Sequence, residues 1–148
     1  MPRTFLELSL PELHLPELTS LPPHPHGQIS CDACECPVTL SSIQTTCPTL
    51  TSLVLRFCCR PSGQLDAIRR TSTCLASLQL ESCTDIPPDL FRLGWPYLTS
   101  LHLSSSAVTG EVLAAVGEGC PNLTDITLHA CTGLSDIAIL QLVQSCKL

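Results

Sequence analysis

The residues of this 148-residue sequence that could do chemistry are its eleven cysteines and five histidines. Three cysteines cluster at Cys31, Cys34 and Cys36, and two histidines, His24 and His26, lie just before them. Thiolates and imidazoles at such spacing are typical ligands of a zinc ion, which needs four of them. Because no second Cys-x-x-Cys pair lies at a matching distance, we interpret the cluster as structural. A zinc-stabilised structural or regulatory fragment is the alternative.

A catalytic cysteine would need a neighbouring base and an electropositive environment. None of the histidines or asparagines has a recognisable spacing to a cysteine, and the sequence contains no glycine-rich phosphate loop or paired-carboxylate motif. His102 and His129 could chelate a metal together, but two ligands without a thiol or carboxylate beside them are weak support. We therefore expect neither an enzyme nor a bound metal or cofactor.

The composition is that of a single domain with an aliphatic core, since 44% of the residues are hydrophobic and only 3% are aromatic. The formal charge is -6, and the seven lysines and arginines form no basic stripe, which argues against nucleic acid as a partner. No apolar run approaches the roughly 18 residues of a membrane span, and no signal-peptide core is present. The odd number of cysteines then favours free thiols in the cytoplasm or nucleus.

A repeated pattern of leucines provides the elements that must position these side chains. Leu123, Ile126 and Leu128 have the order apolar-x-x-apolar-x-apolar, which suits a short strand, and Cys131 follows them. The pattern recurs at intervals of 25, 23 and 25 residues towards the N-terminus, which is typical of leucine-rich repeats. Its earlier copies are Leu98, Leu101 and Leu103; Leu75, Leu78 and Leu80; Leu50, Leu53 and Leu55; and a degenerate copy at His26, Ile29 and Cys31.

Between the strands, pairs of apolar residues spaced i, i+3 predict helices with one buried face. The pairs are Leu65 and Ile68, Leu113 and Val116, and Ile139 and Leu142. Thr109 and Ser135 stand where the hydroxyl of an N-cap residue would accept a backbone N–H. Between residues 87 and 91, two prolines leave room for a single turn only, which we expect to be 3₁₀ in character.

These units predict an α/β fold in which a strand, a turn at a cysteine and a returning helix repeat along the chain. Stacked units of this kind form a short right-handed leucine-rich-repeat solenoid, with parallel strands on the concave face and helices outside. We assign residues 26–148 to a repeat domain of about four to five units, truncated in the last. Residues 1–25, rich in leucine and proline, are expected to form a poorly ordered segment or a degenerate cap.

Two segments carry a resemblance to a known family. Cys120–Cys131 and Cys47–Cys58 both have the order Cys-Pro-x-Leu-x-x-Ile/Leu-x-Leu-x-x-Cys, which resembles the cysteine-containing leucine-rich repeats of F-box/LRR proteins. Ser72 and Trp95 depart from the pattern by replacing the first cysteine in two units, and Ser106 replaces the second cysteine in one. In that family the repeats bind a substrate protein, while a separate F-box recruits a ubiquitin ligase through an adaptor. The resemblance therefore implies substrate recognition for an SCF-type ubiquitin ligase.

The positions between the core leucines are the candidate binding surface. They must point away from the core, and parallel strands about 4.8 Å apart would align them in three columns. The columns are Ser52, Ser77, Ser100 and Asp125; Val54, Gln79, His102 and Thr127; and Arg56, Glu81, Ser104 and His129. Because repeat proteins use their concave surfaces for recognition, we predict a non-enzymatic protein-interaction module that binds a protein partner here. The alternative is an ordinary solvated strand face.

The C-terminal end of the repeats leaves an edge. Cys146 lies 26 residues after Cys120 and would start a further repeat, but no strand follows it. The strand Ile126–Leu128 then has an unpaired edge, and the helix Asp136–Ser145 has a bare flank. We expect either a longer form of the chain or self-association through this end.

Overall fold

The structure is a computed structural model, and it describes residues 28–32, 50–57, 62–71 and 73–146. Residues 1–25, for which we expected a poorly ordered segment or a degenerate cap, lie outside the described residues. The same holds for Cys34, Cys36, Cys47 and Cys58. The described part of the chain contains most of the predicted repeats.

The described residues form a five-stranded parallel sheet whose strands follow one another in chain order. The strands are β1 (Gln28–Asp32), β2 (Ser52–Arg56), β3 (Ser77–Glu81), β4 (Ser100–Ser104) and β5 (Asp125–His129). The helices are α1 (Ser62–Thr71), α2 (Asp89–Arg92), α3 (Gly110–Gly119) and α4 (Asp136–Ser145). From β2 onward one helix follows each strand, so the predicted α/β class and the parallel strands are confirmed.

The leucine pattern forms the core in the predicted register. Leu53, Leu78, Leu101 and Ile126 are partners across successive strands, and so are Leu55, Leu80, Leu103 and Leu128. The members on β2, β3 and β4 are at most 1% exposed, whereas Ile126 and Leu128 are half-buried on the last strand. Full burial of a leucine or isoleucine side chain stabilises by about 1.5–3 kcal/mol, so this ladder is a main source of stability.

The helices contribute their predicted apolar faces to the same core. Leu65, Ile68, Leu113 and Val116 are fully buried. Each predicted N-cap also forms, since the Thr109 hydroxyl accepts the Val112 N–H at 3.4 Å and the Ser135 hydroxyl accepts the Ala138 N–H at 3.3 Å. An accepted N–H of this kind stabilises a helix by roughly 1 kcal/mol.

The prediction that Ile139 is buried with Leu142 is wrong. Ile139 is 38% exposed, and Ala138 is the residue that packs beside Leu142 on the inner face of α4. The equivalent residue of the preceding helix, Leu113, is fully buried because α3 packs between α2 and α4. Among the described elements α4 contacts only one helix, α3, so part of the Ile139 side chain is left uncovered.

The short element between β3 and β4 is the single turn that its prolines predict. Its first two bonds are of the 3₁₀ kind, from the N–H groups of Leu90 and Phe91 to carbonyls three residues back, at 3.2 and 3.0 Å. The N–H groups of Arg92 and Leu93 then donate to carbonyls four residues back, at 3.2 and 3.3 Å. Residues Asp89–Arg92 are therefore α-helical, and the expected 3₁₀ character is found at the ends of the turn, since the Gly94 N–H again donates to a carbonyl three residues back, that of Phe91, at 2.9 Å.

Candidate functional site

The predicted binding residues come together on the side of the sheet opposite the leucine ladder. The register aligns Ser52, Ser77, Ser100 and Asp125; Val54, Gln79, His102 and Thr127; and Arg56, Glu81, Ser104 and His129. Alternation along a strand places them on one face because the leucines between them are buried. We refer to these twelve positions as the polar strand face. Their role in binding stays a prediction.

Exposure of the polar strand face increases along the sheet. The members on β5, Asp125, Thr127 and His129, are exposed, while those on β3 and β4 are partly buried. Since β5 pairs with a strand on one side only in the described sheet, its side chains have fewer neighbours to cover them. A partner would therefore find the most accessible side chains at the β5 end.

Val54 departs from the predicted surface. We expected it to line the binding face, but it is only 1% exposed and so cannot offer a contact in this structure. It is an aliphatic side chain in a strand that pairs on both sides, with β1 and β3. Burying such a side chain is worth about 1.5–3 kcal/mol, which favours a covered position over an accessible one.

An ion pair holds two charged members of the polar strand face against each other. The Arg56 Nε lies 2.7 Å from Glu81 Oε2, and these side chains are 34% and 30% exposed. The two residues are register partners on adjacent strands, so the pair joins β2 to β3. At this exposure the pair contributes at most about 1 kcal/mol to stability. Its larger effect is to fix the position of two charges that a partner would meet.

Sequence reasoning missed the contribution of β1 to this face. By backbone register, Gln28, Ser30 and Asp32 continue the three columns beyond β2. Their neighbours Ile29 and Cys31 are the partners of Leu53 and Leu55, as the degenerate first repeat predicted. The same alternation that identified the other strands could have identified these three positions.

The cysteines that follow the strands have structural contacts. The Cys83 thiol donates to the carbonyl oxygens of Glu81 and Leu55 at 3.5 and 3.6 Å. The Cys131 thiol does the same with His129 and Leu103, at 3.7 and 3.3 Å. Ser106, which replaces the cysteine in the intervening repeat, donates to the Ser104 carbonyl at 3.0 Å and accepts the Cys83 N–H at 3.2 Å. A small donor that satisfies carbonyls near the strand ends, buried at Cys83 and Ser106 and half-buried at Cys131, is therefore the repeating feature at this position.

The geometry provides no metal-binding group of three or more His, Cys, Asp or Glu side chains among the described residues. His102 and His129 are not partners across the sheet, since they pair with Thr127 and Ser104. Of the cysteines considered as zinc ligands, the backbone of Cys31 lies in β1 opposite Leu55, and Cys34 and Cys36 are outside the described residues. None of the described helices has the length and apolar character of a membrane-spanning segment.

Comparison with known proteins gives one distant relative of note. No protein-family model matches the chain. The BTB/POZ domain-containing protein FBL11 of Arabidopsis thaliana is 30% identical over 99 residues, which is 65% of this chain and 10% of that protein. The matched segment thus spans a tenth of the length of FBL11.

Proposed function

We propose that this chain is a non-enzymatic leucine-rich-repeat module that binds a protein partner through its polar strand face. We propose further that the repeats form a right-handed solenoid with this face on its concave side, and that the module recognises substrates for an SCF-type ubiquitin ligase. The observation that carries the proposal is the alignment of polar side chains over a leucine ladder that is fully buried on β2, β3 and β4.

The arrangement supports recognition better than chemistry. Rows of serine, glutamine, histidine and charged side chains can donate and accept hydrogen bonds across an area as wide as the sheet. The buried ladder behind them holds the strand backbones in place, so the chain loses less conformational entropy when a partner binds. The cross-strand partners of His102 and His129 on β5 and β4 are Thr127 and Ser104, and the carboxylate of Asp125 lies opposite Ser100, so neither histidine has a carboxylate as its register partner to orient it as a catalytic base.

The ligase part of the proposal draws on two kinds of similarity. The Cys-Pro-x-Leu order in Cys47–Cys58 and Cys120–Cys131 resembles the repeats of F-box/LRR proteins, and the distant similarity to FBL11 is in keeping with repeats of that type. FBL11 is much longer than the matched region, and the properties of its other parts do not carry over to this chain.

The binding surface can be tested with one triple variant. Asp125→Ala, Thr127→Ala and His129→Ala together remove the most exposed member of each column while leaving every core side chain in place. Used as baits in quantitative affinity purification, the wild-type chain should enrich a partner about tenfold more than the variant does, since the loss of three interface side chains needs to cost only about 1.4 kcal/mol in total for that effect. The melting temperature of both proteins should agree.

A matched control changes polar residues on the helices. Glu111→Ala, Gln141→Ala and Gln144→Ala replace three exposed helical side chains and should keep the partner. A partner that still binds the strand variant but no longer binds the helical variant would refute the proposed surface.

The ligase part of the proposal makes a separate prediction. The captured protein should carry ubiquitin and should accumulate when the proteasome is inhibited. A stable, unmodified partner would refute that part alone.

A further inference from the structure

A cleft lies at the amino ends of β3 and β4, away from the polar strand face. It encloses about 240 Å³ and is formed by the last turn of α1 together with the segments that lead into the two strands. Its lining combines two buried apolar side chains, Leu75 and Trp95, with the exposed Thr73 and Tyr97 and with two arginines. The volume is below the roughly 300 Å³ at which small-molecule pockets begin, so it suits one side chain of a peptide.

The two arginines of this cleft share a single carboxylate. Arg69 Nη2 lies 2.7 Å from one Asp66 oxygen, and Arg70 Nη2 lies 3.0 Å from the other. The hydrogen bond from Arg69, with the charges of both arginines, lowers the pKa of Asp66 below its ordinary value, so this carboxylate stays ionised at neutral pH. Two cations and one anion leave one positive charge in a chain whose formal charge is -6.

The two arginines differ in what they can do for a ligand. Arg69 is held in place, because its Nη1 also donates to the Leu93 carbonyl at 3.0 Å and thereby ties α1 to the end of α2. Arg70 is 69% exposed, and its ion pair with Asp66 engages one nitrogen of a guanidinium that carries five donors. Arg69 therefore positions Asp66, while Arg70 offers the charge.

The two aromatic residues of the cleft, Trp95 and Tyr97, also differ in exposure, one being fixed in the interior and the other accessible to a ligand. The Trp95 indole N–H donates to the Leu90 carbonyl at 2.9 Å, and the ring is only 3% exposed, so it forms a fixed apolar base. Tyr97 is 58% exposed and presents its ring at the surface. An exposed aromatic ring beside a solvent-facing guanidinium is a combination enriched at protein-binding sites.

We propose that this cleft docks an acidic peptide segment of a protein partner. A glutamate or aspartate carboxylate of the segment binds Arg70, and a neighbouring apolar side chain packs against Tyr97 over Trp95 and Leu75. One net positive charge matches one carboxylate, which favours an acidic residue over a phosphate carrying close to two charges. The site is separate from the polar strand face, so the chain has two surfaces for protein partners.

The single tryptophan of the sequence, Trp95, makes the cleft directly observable by fluorescence. The probe is an unlabelled acetyl-Leu-Glu-Leu-amide peptide titrated into the full chain, with Gln and phosphoserine analogues in parallel. The Glu peptide should change the Trp95 emission saturably, and the Gln peptide should bind about fivefold more weakly, the size of an exposed ion-pair effect. Backbone amide shifts of Thr73 and Tyr97 in NMR spectra provide a second readout.

Two arginine variants separate the cleft from general charge effects. Arg70→Gln should weaken the Glu peptide about fivefold and remove its preference over the Gln peptide. Arg92→Gln removes the same charge from an exposed arginine of α2 outside the cleft lining and should leave binding unchanged. Equal binding of the Glu and Gln peptides, an unaffected Arg70 variant, or no shift at Thr73 and Tyr97 would overturn the proposal. Binding of the phosphoserine peptide alone would overturn the assignment of a carboxylate.

Discussion

The residues that directly follow strands β2 to β5 hold left-handed backbone conformations without being glycine. They are Phe57, Ser82, Ser105 and Ala130, with φ values of 55°, 52°, 48° and 52°. Three of them donate their backbone N–H to the carbonyl of the last residue of the next strand. These hydrogen bonds run from Phe57 to Glu81 (2.9 Å), from Ser82 to Ser104 (2.8 Å) and from Ser105 to His129 (2.8 Å). A left-handed residue with a Cβ costs about 1–2 kcal/mol, so at these three positions cross-strand bonding maintains an unfavourable local geometry.

Ala130→Gly should stabilise the protein. Glycine adopts this φ without the Cβ clash, and the 1–2 kcal/mol relieved exceeds the roughly 0.5–1 kcal/mol of extra chain entropy that glycine loses on folding. The free energy of unfolding in urea should therefore rise by about 0.5 kcal/mol. Ala114→Gly in α3 is the matched control and should lower it by about 1 kcal/mol. A destabilised Ala130→Gly protein would contradict this account of the strand ends.

The buried Cys120 thiol should make stability fall at alkaline pH. Burial, with a smaller effect from the neighbouring Cys146 thiol, raises the pKa of Cys120 from an ordinary value of 9.0 to about 12. Between these two values the unfolded chain loses the thiol proton while the folded chain keeps it, so the unfolded state binds fewer protons. Stability then decreases as pH rises, by at most about 1.4 kcal/mol per pH unit for this group.

Denaturation curves measured from pH 8 to pH 11 can check this effect. Cys120→Ala should flatten the decline relative to the wild-type chain, because the variant has no thiol to ionise there. Cys74→Ala removes an exposed thiol instead and should leave the slope unchanged. Identical slopes for all three proteins would show that Cys120 ionises as readily in the folded state as in the unfolded one.

At the scale of elements, α2 and α3 come unusually close together at Gly119. A Cβ added at this glycine would collide with the carbonyl oxygen of Phe91 at the end of α2. The Gly119 carbonyl also accepts a hydrogen bond from the backbone N–H of Trp95 at 2.7 Å, which further fixes the position of Gly119. The short α2 and the longer α3 can pack beside each other only because this position has no side chain.

Gly119→Ala should therefore destabilise the protein by about 1–3 kcal/mol, the usual cost of forcing extra volume into a packed contact. Thermal unfolding followed by circular dichroism would measure the loss. Gly110→Ala is the control at the other end of α3, where the added Cβ would lie 3.4 Å from the Ala138 Cβ, an ordinary contact. Similar melting temperatures for the two variants would mean that α2 moves away from Gly119 at little cost.

Across the described structure as a whole, the flank formed by β5 and α4 is apolar and uncovered. Ile137, Ile139, Leu140 and Val143 are 68%, 38%, 61% and 48% exposed. Several of them are spaced i, i+3 or i, i+4 and so share a face of α4, and β5, at the same end of the described repeats, has an unpaired edge in the described sheet. An exposed apolar helix face and an open strand edge at the same end of the repeats both favour association.

We propose that this flank mediates self-association, and Val143→Glu should weaken it. The variant places one charge at the centre of the apolar face, so the mean mass from light scattering at high protein concentration should fall towards that of the monomer. Gln141→Glu adds the same charge to an exposed polar position of the same helix and should leave the mass unchanged. A wild-type chain that stays monomeric across the concentration series would refute the proposal.

Most elements of this protein and their register can be predicted from the amino-acid sequence. The leucine spacing predicted β2 to β5, the i, i+3 pairs predicted the inner faces of α1 and α3, and Thr109 and Ser135 were recognised as N-caps. Periodicity was sufficient because a strand or helix shows one face to the core wherever it lies, and each repeat supplies the same face at the same spacing. Identical spacing then leaves only one pairing that buries every leucine.

Which of these predicted positions are covered became clear only from the tertiary structure. Ile139 has the same local pattern as Leu113, yet it is exposed because no described helix packs on its outer side. Val54 stands in a polar column, yet it is buried. The cleft beside Tyr97 also joins residues from α1 and from the segment before β4, which no local pattern links. Burial and charge pairing depend on neighbours from adjacent repeats, and these are set by how the repeats stack rather than by the sequence of any one of them.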